Sequence, residues 1–372
     1  MRILLTNAYF DRYTGAEVVT RDLAKGLVRA GHRVTIYSPR LGPIVDEIRD
    51  SGITLTDDLF SLSETPDIIH GHHHQPVMEA LLRFPMTPAI YLCHDATHPT
   101  DEPCAFPRIR KYLAVDERCQ ARVTQALGMA AREVGIIPNA VDTERFQPRA
   151  PLPERPRTAL LFSNYAHGGT HLPAVRDACR KARIQLDVMG RAMGTESAHP
   201  ESALPKYDLV FAKARCALEA MAVGNAVVLC DFAGVGPYVT AADFDRMRLK
   251  NFGRALLTEP LSASALLKQI SRYDASDAAA LRTRVRGEAS LHGLVARWES
   301  IYREVLANFD ITQVDRAEES RMTALYLSRW HYFRRREWEV AQLRRLEKIP
   351  IVGKAVYGAA QWALQRWKPF NE

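Results

Sequence analysis

Short apolar runs that alternate with amphipathic segments constrain this chain more than any other feature. Near the N-terminus, the apolar run Arg2–Thr6 is followed by an amphipathic stretch over residues 17–31 and then by a second apolar run, Arg33–Tyr37. Apolar residues recur at helical spacing within the amphipathic stretch, and Gly31 is placed to end a helix in the left-handed conformation. This order predicts a strand–helix–strand unit of a doubly wound α/β fold.

The same alternation continues along the chain and restarts after a proline-rich, charged break at residues 147–157. We therefore predict a first domain over residues 1–150 and a second over residues 151–310, each built on a parallel sheet. Further strands are predicted at residues 67–70, 89–93, 112–115, 134–137, 158–162, 185–189, 209–212 and 226–230, and a final helix at 294–308. Two such domains face each other across a cleft at the carboxyl ends of their strands, where open α/β sheets bind ligands. The first loop holds one glycine, Gly15, where the dinucleotide fingerprint needs three.

The cysteine pattern and the lack of long apolar runs indicate where in the cell the protein is expected. The six cysteines are scattered without a CxxC pair, which is typical of reduced thiols. The apolar start is too short for the core of a signal peptide, and no uncharged run approaches the roughly 20 residues that span a bilayer. We expect a cytoplasmic protein. Residues 321–372 carry eleven Lys/Arg against four Asp/Glu, so the net charge of +7 lies in the tail.

Several motifs carry a family resemblance. The segments TGAEVVTRDLAKGLVRAG, DIIHGHH, LCHD, GIIPNAVDTERFQP and ALEAMAVGNAVVLCD resemble, in order and spacing, those of GT-B glycosyltransferases, most closely the retaining, nucleotide-sugar-dependent bacterial branch similar to glycosyltransferase family 4. The likeness covers roughly residues 1–310. It implies two Rossmann-like domains and transfer of a sugar, with retention, from a UDP- or GDP-linked donor to a hydroxyl acceptor (a glycan, a lipid or a small molecule). It implies no cofactor and no metal.

The chain departs from the family pattern at three places. The family has two glutamates separated by seven residues; Glu219 matches the second, but Phe211 stands where the first is expected. An Arg…Lys-Gly element is replaced by SNYAHGGT, and Ala140 stands where glycine is usual. Two alternatives therefore stay open: a sugar-nucleotide epimerase or hydrolase of the same fold, and a degenerate transferase that binds a nucleotide or acts as a scaffold.

The donor-binding prediction centres on a helix start. Lys213 and Arg215 precede or open the helix that follows the strand at 209–212, and a helix N-terminus with added cations suits a pyrophosphate; the alternative is a solvated basic turn. The resemblance implies that Glu219 binds the ribose hydroxyls, the alternative being an ordinary exposed glutamate. For Gly15, close approach of the backbone to a ligand and a tight turn are equally open. The predicted donor-binding set is Lys213, Arg215, Glu219, Asn164, Asn139 and Gly15.

Histidines dominate the predicted acceptor side. His94 and Asp95 end a strand, and the resemblance places the histidine near the reacting sugar, where imidazole can donate a hydrogen bond or move a proton; the alternative is a capped loop. The sequence HGHHHQ begins at His70, after a strand. We predict a polar loop in which His70 or His72 faces the acceptor, with a plain surface loop as the alternative. Adjacent histidines point in different directions and no carboxylate is near, so we expect no metal site.

The tail, residues 311–372, is predicted to be a basic, Trp-rich helical extension. Basic residues interleaved with tryptophan suit an anionic membrane surface, which would make the protein peripheral at the inner face of the membrane and fit synthesis of a cell-surface polysaccharide or glycolipid. The other interpretations are packing onto the first domain and binding of a partner protein. Nucleic acid is disfavoured because the body of the chain has no accompanying basic field.

Overall fold

The computed structural model describes residues 1–346, which form two compact units. Unit 1 contains Met1–Ile136 and the chain from Glu299 onward; unit 2 is Ile137–Trp298. These boundaries differ from the predicted limits at residues 150 and 310. The reason is local: Val141 donates to the carbonyl of Ala289 and accepts from the amide of Leu291, at 2.9 and 2.8 Å. Residues after 136 are thus already bound to the far end of unit 2.

Unit 1 is built on a seven-stranded sheet with the order β3-β2-β1-β4-β5-β6-β7, in which every pair is parallel. Its strands are β1 (Arg2–Thr6), β2 (Arg33–Tyr37), β3 (Thr54–Thr56), β4 (Ile68–His72), β5 (Ala89–Cys93), β6 (Ile109–Ala114) and β7 (Val134–Ile136). The first helices are α1 (Gly15–Arg29), α2 (His74–Arg83) and α3 (Glu117–Leu127). The strand order reverses between β1 and β4, so the loops after these two strands diverge and leave a crevice.

Local sequence explains how α1 starts and ends. The Glu17 carboxylate accepts a hydrogen bond from the Thr14 amide at 3.0 Å, which satisfies a helix N–H group that has no partner within the helix. Val18 and Leu23 are buried on one face. Gly31 has a φ of 85°, the left-handed conformation predicted for the helix end.

Unit 2 is built on a five-stranded sheet with the order β12-β11-β10-β8-β9. Its strands are β8 (Thr158–Phe162), β9 (Gln185–Met189), β10 (Leu209–Ala212), β11 (Ala226–Asp231) and β12 (Gly234–Tyr238), and only β12 is antiparallel to its neighbour. Its helices are α4 (Leu172–Ala182), α5 (Pro200–Ala203), α6 (Ala214–Val223), α7 (Phe244–Arg248), α8 (Ala263–Ile270), α9 (Ala275–Glu288) and α10 (Leu291–Ala307), whose last turns belong to unit 1.

The two faces of the unit 2 sheet are both buried. Leu209 and Phe211 of β10 belong to the hydrophobic cluster on one face, and Val210 and Ala212 to the cluster on the other. Burial on both faces explains why the central strands are continuous apolar runs without alternation. It also explains why these strands were accessible to sequence-based prediction.

The described part of the tail packs on unit 1. It forms α11 (Arg316–Ser328) and α12 (Trp330–Leu346). The Glu319 carboxylate accepts from the Arg108 guanidinium at 2.5 Å, and the rings of Phe333 and His74 lie 4.4 Å apart. Of the alternatives for the tail, packing onto the first part of the chain therefore applies to these helices. Trp362, Trp367 and the helix predicted after Pro350 lie outside the described residues. Within residues 1–346, no helix combines the length and hydrophobicity that crossing a membrane requires.

Candidate active site

The strand order of the unit 2 sheet reverses between β8 and β10. Such a reversal leaves a crevice between the loops after the two strands, and ligands of open α/β sheets bind there. After β8 the chain forms the loop 163–171, and after β10 it enters α6 directly through Lys213. Asn164, Lys213 and Arg215, three of the predicted donor-binding residues, therefore lie at this edge.

The start of α6 is conformationally strained. Ala214 has a φ of 50°, and its amide donates to the carbonyl of Phe252 at 2.7 Å. Phe252 and the preceding Asn251 also have positive φ, 49° and 50°. Residues other than glycine rarely adopt this left-handed backbone conformation, and those that do cluster at functional sites. Their meeting at the N-terminus of α6 marks this edge as the candidate site of unit 2.

Lys213 is paired with a buried carboxylate. Its Nζ lies 3.2 Å from Oδ2 of Asp231, the last residue of β11, which is 0% exposed. The Arg254 Nε lies 3.7 Å from the same oxygen. A cation at a helix N-terminus is unfavourable because the helix dipole is positive there. Asp231 offsets that cost and holds both cations at the edge of the sheet.

Arg215 and Glu219 form an ion pair within α6, one helical turn apart. Glu219 is 1% exposed, so the alternative of an ordinary exposed glutamate does not apply. The guanidinium neutralises a carboxylate that stands among apolar residues. The pair places Arg215 against Glu219, and the roles of Arg215 toward phosphate and of Glu219 toward ribose stay predictions.

The two asparagines of the predicted set tie loops to this edge. The Asn164 side-chain oxygen accepts from the Arg191 amide at 3.1 Å. The Asn139 amide donates to the Asn251 side chain at 3.1 Å, and its carbonyl accepts from Arg248 at 3.0 Å. Asn139 is thus linked through Asn251 to the strained segment that contacts α6. By the unit boundaries it lies in unit 2 with every other donor-binding candidate except Gly15, although the predicted limit at 150 had placed it in the first domain.

Phe211 stands where the first of the family's two glutamates is expected, and it lies within β10. Its side chain is fully buried and packs in the core beside Leu161 and Val228 of the neighbouring strands. A carboxylate at this position would lie in the core. The first polar residue beyond the strand is Lys213.

Further residues at this edge were missed by the sequence reasoning. Tyr165 lies under the Lys213 ammonium at 5.5 Å, and Phe232 lies under the Arg254 guanidinium at 4.8 Å. His171, which precedes α4, is also fully buried. The missed residues are Tyr165, His171, Asp231, Phe232 and Arg254. A sequence signal existed for Asp231 alone, since it directly follows the apolar run of a predicted strand.

The carboxyl edge of unit 1 is formed by β1, β4 and their loops. The turn after β4 is made by His73, a further non-glycine residue with positive φ, 64°. Its Nδ1 accepts a hydrogen bond from the amide of Ala8, which follows β1, at 3.0 Å. The imidazole thereby fixes the two diverging loops to each other at the strand-order reversal.

The predicted loop over HGHHHQ is wrong for His72, whereas His70 lies in a strand as the predicted strand at residues 67–70 required. Both belong to β4, which continues through His72 because residues 69–72 pair with β5. Gly71 permits this continuation, since a Cβ there would lie 2.3 Å from a methyl carbon of Val77. Both imidazoles are 0% exposed, and each has one nitrogen near a hydroxyl: Tyr302 at 2.6 Å for His70 and Thr20 at 2.9 Å for His72. Their role toward an acceptor stays untested.

Five imidazoles of unit 1 lie after or within β4 and β5, and we call them the histidine cluster: His70, His72, His73, His74 and His94. The His72 ring lies 4.6 Å from that of His70 and 4.5 Å from that of His94. Burial lowers the pKa of His70 to about 3 and that of His94 to about 4, and it lowers the pKa of His72 well below its usual range. The histidine cluster is therefore uncharged at neutral pH.

His94 and Asp95 follow β5, as predicted, but differ in what their side chains do. The His94 amide donates to Asp101 at 2.7 Å, and its Nε2 has no hydrogen-bond partner among residues 1–346. The Asp95 carboxylate accepts from the amides of Thr97 and His98, at 2.6 and 2.9 Å. Asp95 is exposed to solvent, but the protein around it limits its hydration and so opposes its ionisation; these hydrogen bonds outweigh that effect and hold its pKa below the usual range. Asp95 is thus an ionised group that shapes its loop, while His94 offers a neutral nitrogen.

Gly15 begins α1 after the loop that follows β1. No atom would lie within 4 Å of a Cβ at this position, and its φ is not in the left-handed region. Chain geometry therefore does not require a glycine here. The absence of a side chain leaves room at the carboxyl edge of unit 1.

Within the described residues, no group of three or more His, Cys, Asp or Glu side chains is arranged to hold a metal ion. In the histidine cluster the neighbouring rings of His70, His72 and His94 meet edge to face. The prediction that the protein needs no metal is not tested by this arrangement.

Comparison with known proteins agrees with this architecture. Residues 57–145 match the model of Glycosyltransferase Family 4. No curated protein matches the sequence. Among solved structures, a glycosyltransferase from Rickettsia africae is 17% identical, with a TM-score of 0.60 over 83% of this chain and 99% of that one.

Two other structures show the same likeness. HepE of Anabaena, in complex with UDP and glucose, is 15% identical, with a TM-score of 0.58 over 82% of this chain and 100% of that one. Sucrose-phosphate synthase of Thermosynechococcus elongatus is 14% identical, with a TM-score of 0.55 over 83% of this chain and 100% of that one. At such identities the likeness establishes the fold. The chain has the GT-B fold, and its residues 57–145 match the family model of Glycosyltransferase Family 4.

Proposed function

We propose that this protein is a glycosyltransferase that moves a sugar from a nucleotide-diphosphate sugar to a hydroxyl acceptor, with unit 2 binding the donor. The observation that carries the proposal is the start of α6. There a helix N-terminus, Lys213 and a strained backbone meet at the strand-order reversal of the sheet. Backbone N–H groups, the helix dipole and an ammonium group together suit a diphosphate.

The chemistry explains why cations are needed at this place. The acceptor oxygen forms a bond to the anomeric carbon of the sugar while the bond from that carbon to the diphosphate oxygen breaks. The electron pair of the broken bond stays on the diphosphate, so negative charge grows there in the transition state. Lys213 and the α6 amides would stabilise this charge, since fixed donors require little reorganisation during reaction.

Glu219 is proposed to accept hydrogen bonds from the ribose hydroxyls of the donor. Its burial and its pairing with Arg215 hold the carboxylate in one orientation. Asn139 and Asn164 are proposed to contact the donor from neighbouring loops, and Gly15 to leave room for ligand at the edge of unit 1. Retention of the anomeric configuration is proposed on the family resemblance alone.

His94 is proposed to serve the acceptor from unit 1. A neutral imidazole with a buried, unpartnered Nε2 can accept the hydrogen bond of a hydroxyl and receive its proton. Asp95 would act by ordering the loop after β5. His70 and His72 belong to the strand β4. The ring of His72 contacts that of His94 and would support it, and His70 would support His72 in the same way.

The donor and setting are proposed as follows. UDP is the first nucleotide to test because HepE, of the same fold, holds UDP, and GDP is the second.

We propose that no metal takes part. Trp338, on α12, is 63% exposed, and the nearby Arg334 and Arg335 are exposed too; these residues support a peripheral contact with anionic lipid from the cytoplasmic side. The acceptor would then be a precursor of a cell-surface polysaccharide or glycolipid.

Thermal shift tests the donor site directly. A ligand at about 100 times its Kd stabilises the folded state by about 2.7 kcal/mol. We expect UDP or GDP to raise the melting temperature of the wild type and to lose most of this effect in Lys213→Met. Lys268→Met is the control, since Lys268 is an exposed lysine of unit 2 paired with Glu259 at 3.2 Å; its response should equal that of the wild type.

Turnover separates the candidate functions. Nucleotide release from UDP-sugars that depends on an added hydroxyl acceptor establishes a transferase. Release without acceptor indicates a hydrolase, and rearranged sugar-nucleotide indicates an epimerase. Binding without any turnover indicates the degenerate, nucleotide-binding alternative, and absence of binding to every nucleotide tested overturns the proposal.

A further inference from the structure

Two cations from separate segments share one buried carboxylate at the edge of unit 2. Lys213 follows β10, whereas Arg254 follows the strained pair Asn251 and Phe252. Their side chains are 22% and 28% exposed, and that of Asp231 between them is 0% exposed. Both cations face the same carboxylate oxygen, Oδ2 of Asp231. The cations are open enough to meet a ligand, while the carboxylate that orients them is not.

A second, independent feature points into the same place. His171 is 0% exposed, and neither of its ring nitrogens has a hydrogen-bond partner among the described residues. His171 ends the loop that follows β8, at the same strand-order reversal as Lys213, and burial lowers its pKa to about 4. A buried polar group without a partner is rare and unfavourable. A ligand oxygen at this edge would satisfy it.

Two aromatic rings fix the cations in place. The ammonium of Lys213 lies over Tyr165 and the guanidinium of Arg254 over Phe232, and the two rings contact each other edge to face at 5.7 Å. Cations over aromatic faces gain attraction while their outer N–H groups stay available for hydrogen bonds. The rings therefore hold the two cations in place beside Asp231.

We infer that Lys213, Arg254 and His171 together bind the two phosphoryl groups of a nucleoside diphosphate, with Asp231 as the residue that positions both cations. This inference rests on the proposed function for the identity of the ligand. It assigns to the donor site three residues, Arg254, His171 and Asp231, that the family motifs do not mark in this chain. Two cations from separate segments, beside one buried imidazole, favour a ligand with two phosphoryl groups over one with a single group.

Calorimetric titration of the full-length protein with UDP, inorganic pyrophosphate, inorganic phosphate and uridine tests the inference. We expect Arg254→Met to weaken binding of both UDP and pyrophosphate by about tenfold or more, the scale of losing a charge-assisted contact. His171→Gln should weaken both less. Arg145→Met is the matched control, because Arg145 is also a partly buried arginine of unit 2, paired with Glu201 and lying over Phe146. It should bind like the wild type.

The positioning role of Asp231 is tested by a separate quantity, the ratio of the affinities for pyrophosphate and phosphate. Asp231→Asn should lower the preference for pyrophosphate over phosphate, since the two cations would no longer be held at one spacing. A general loss of structure would weaken both anions alike and leave the ratio unchanged, which would contradict the role. If Asp231→Asn does not fold, Arg254→Met still decides the site, and its folding is checked by its melting curve.

The outcomes separate this inference from the proposed function. If UDP binds and Arg254→Met binds it as the wild type does, the inference fails and the function stands. If pyrophosphate binds in an Arg254-dependent way but UDP, GDP and ADP do not bind better than pyrophosphate, the diphosphate site stands and the nucleotide donor fails. If the wild type binds neither pyrophosphate nor any nucleotide, the inference is overturned.

Discussion

At the scale of single residues, the histidine cluster makes the stability of unit 1 depend on pH. The pKa of His94 and of His73 falls to about 4 in the folded protein, chiefly because burial disfavours the charged ring. An exposed histidine has a pKa of about 6.5. Between roughly pH 4 and 6.5 the unfolded chain therefore binds more protons than the folded one. The stability that neutral imidazoles contribute is fully present above pH 6.5 and is lost as the pH falls through this window.

We predict that each such histidine contributes a slope of about 1.4 kcal/mol per pH unit to the free energy of unfolding within the window. Urea unfolding of the full-length protein between pH 7.5 and 5 measures this slope. His94→Asn, which keeps a neutral polar side chain, should reduce it by about one histidine's share. His331→Asn, at an exposed position of the same unit, should leave it unchanged. Equal slopes for His94→Asn and the wild type would show that His94 is not held neutral by burial.

At the scale of one element, the strained start of α6 can be tested with a single small substitution. Ala214 has a φ of 50°, which an alanine adopts only at a cost and a glycine adopts freely. We predict that Ala214→Gly raises the free energy of unfolding by about 1 kcal/mol. Ala280→Gly, at an exposed position inside α9, should lower it by about the same amount. Urea unfolding of both variants measures the difference, and a loss of stability in both would show that Ala214 is not strained.

The elements themselves were largely predictable, whereas the chemistry at their ends was only partly so. The strands Arg2–Thr6, Arg33–Tyr37 and Leu209–Ala212 were predicted with their observed limits because strands buried on both faces are continuous apolar runs. β3 was not predicted because its sequence, TLT, has a single apolar residue between two threonines. The predicted strand at residues 67–70 ends two residues before β4 does, because a polar imidazole is not expected in a buried strand. Here the imidazole of His72 is packed in the interior of unit 1. Arg254 could not be predicted, since its place beside Asp231 depends on pairing between distant segments.

At the scale of the whole molecule, the two units differ in whether they are formed by one continuous stretch of sequence. Unit 2 is one continuous stretch, Ile137–Trp298, with a core on each face of its sheet. Unit 1 is discontinuous, and buried groups of its first part have their partners in its second. Arg108 is paired with Glu319, His70 lies 2.6 Å from the Tyr302 hydroxyl, and His74 packs against Phe333. An unpaired buried charge such as Arg108 costs about 3–5 kcal/mol, a large part of the stability of a domain.

We therefore predict that residues 137–298, produced alone, unfold cooperatively in urea and show dispersed amide signals by NMR, and that residues 1–136 alone do neither. Adding residues 299–372 as a separate chain to residues 1–136 should restore the ordered state, because it supplies Tyr302, Glu319 and Phe333. Glu319→Ala in the added chain should impair this rescue, since it leaves Arg108 buried without its carboxylate. Glu318→Ala, which removes only an exposed ion pair with Arg321, should not. Independent folding of residues 1–136 would contradict the structural role that we assign to residues 299–372. Membrane binding and partner binding would then be the remaining interpretations of that segment. If residues 137–298 also bind UDP, the donor site belongs to unit 2 alone.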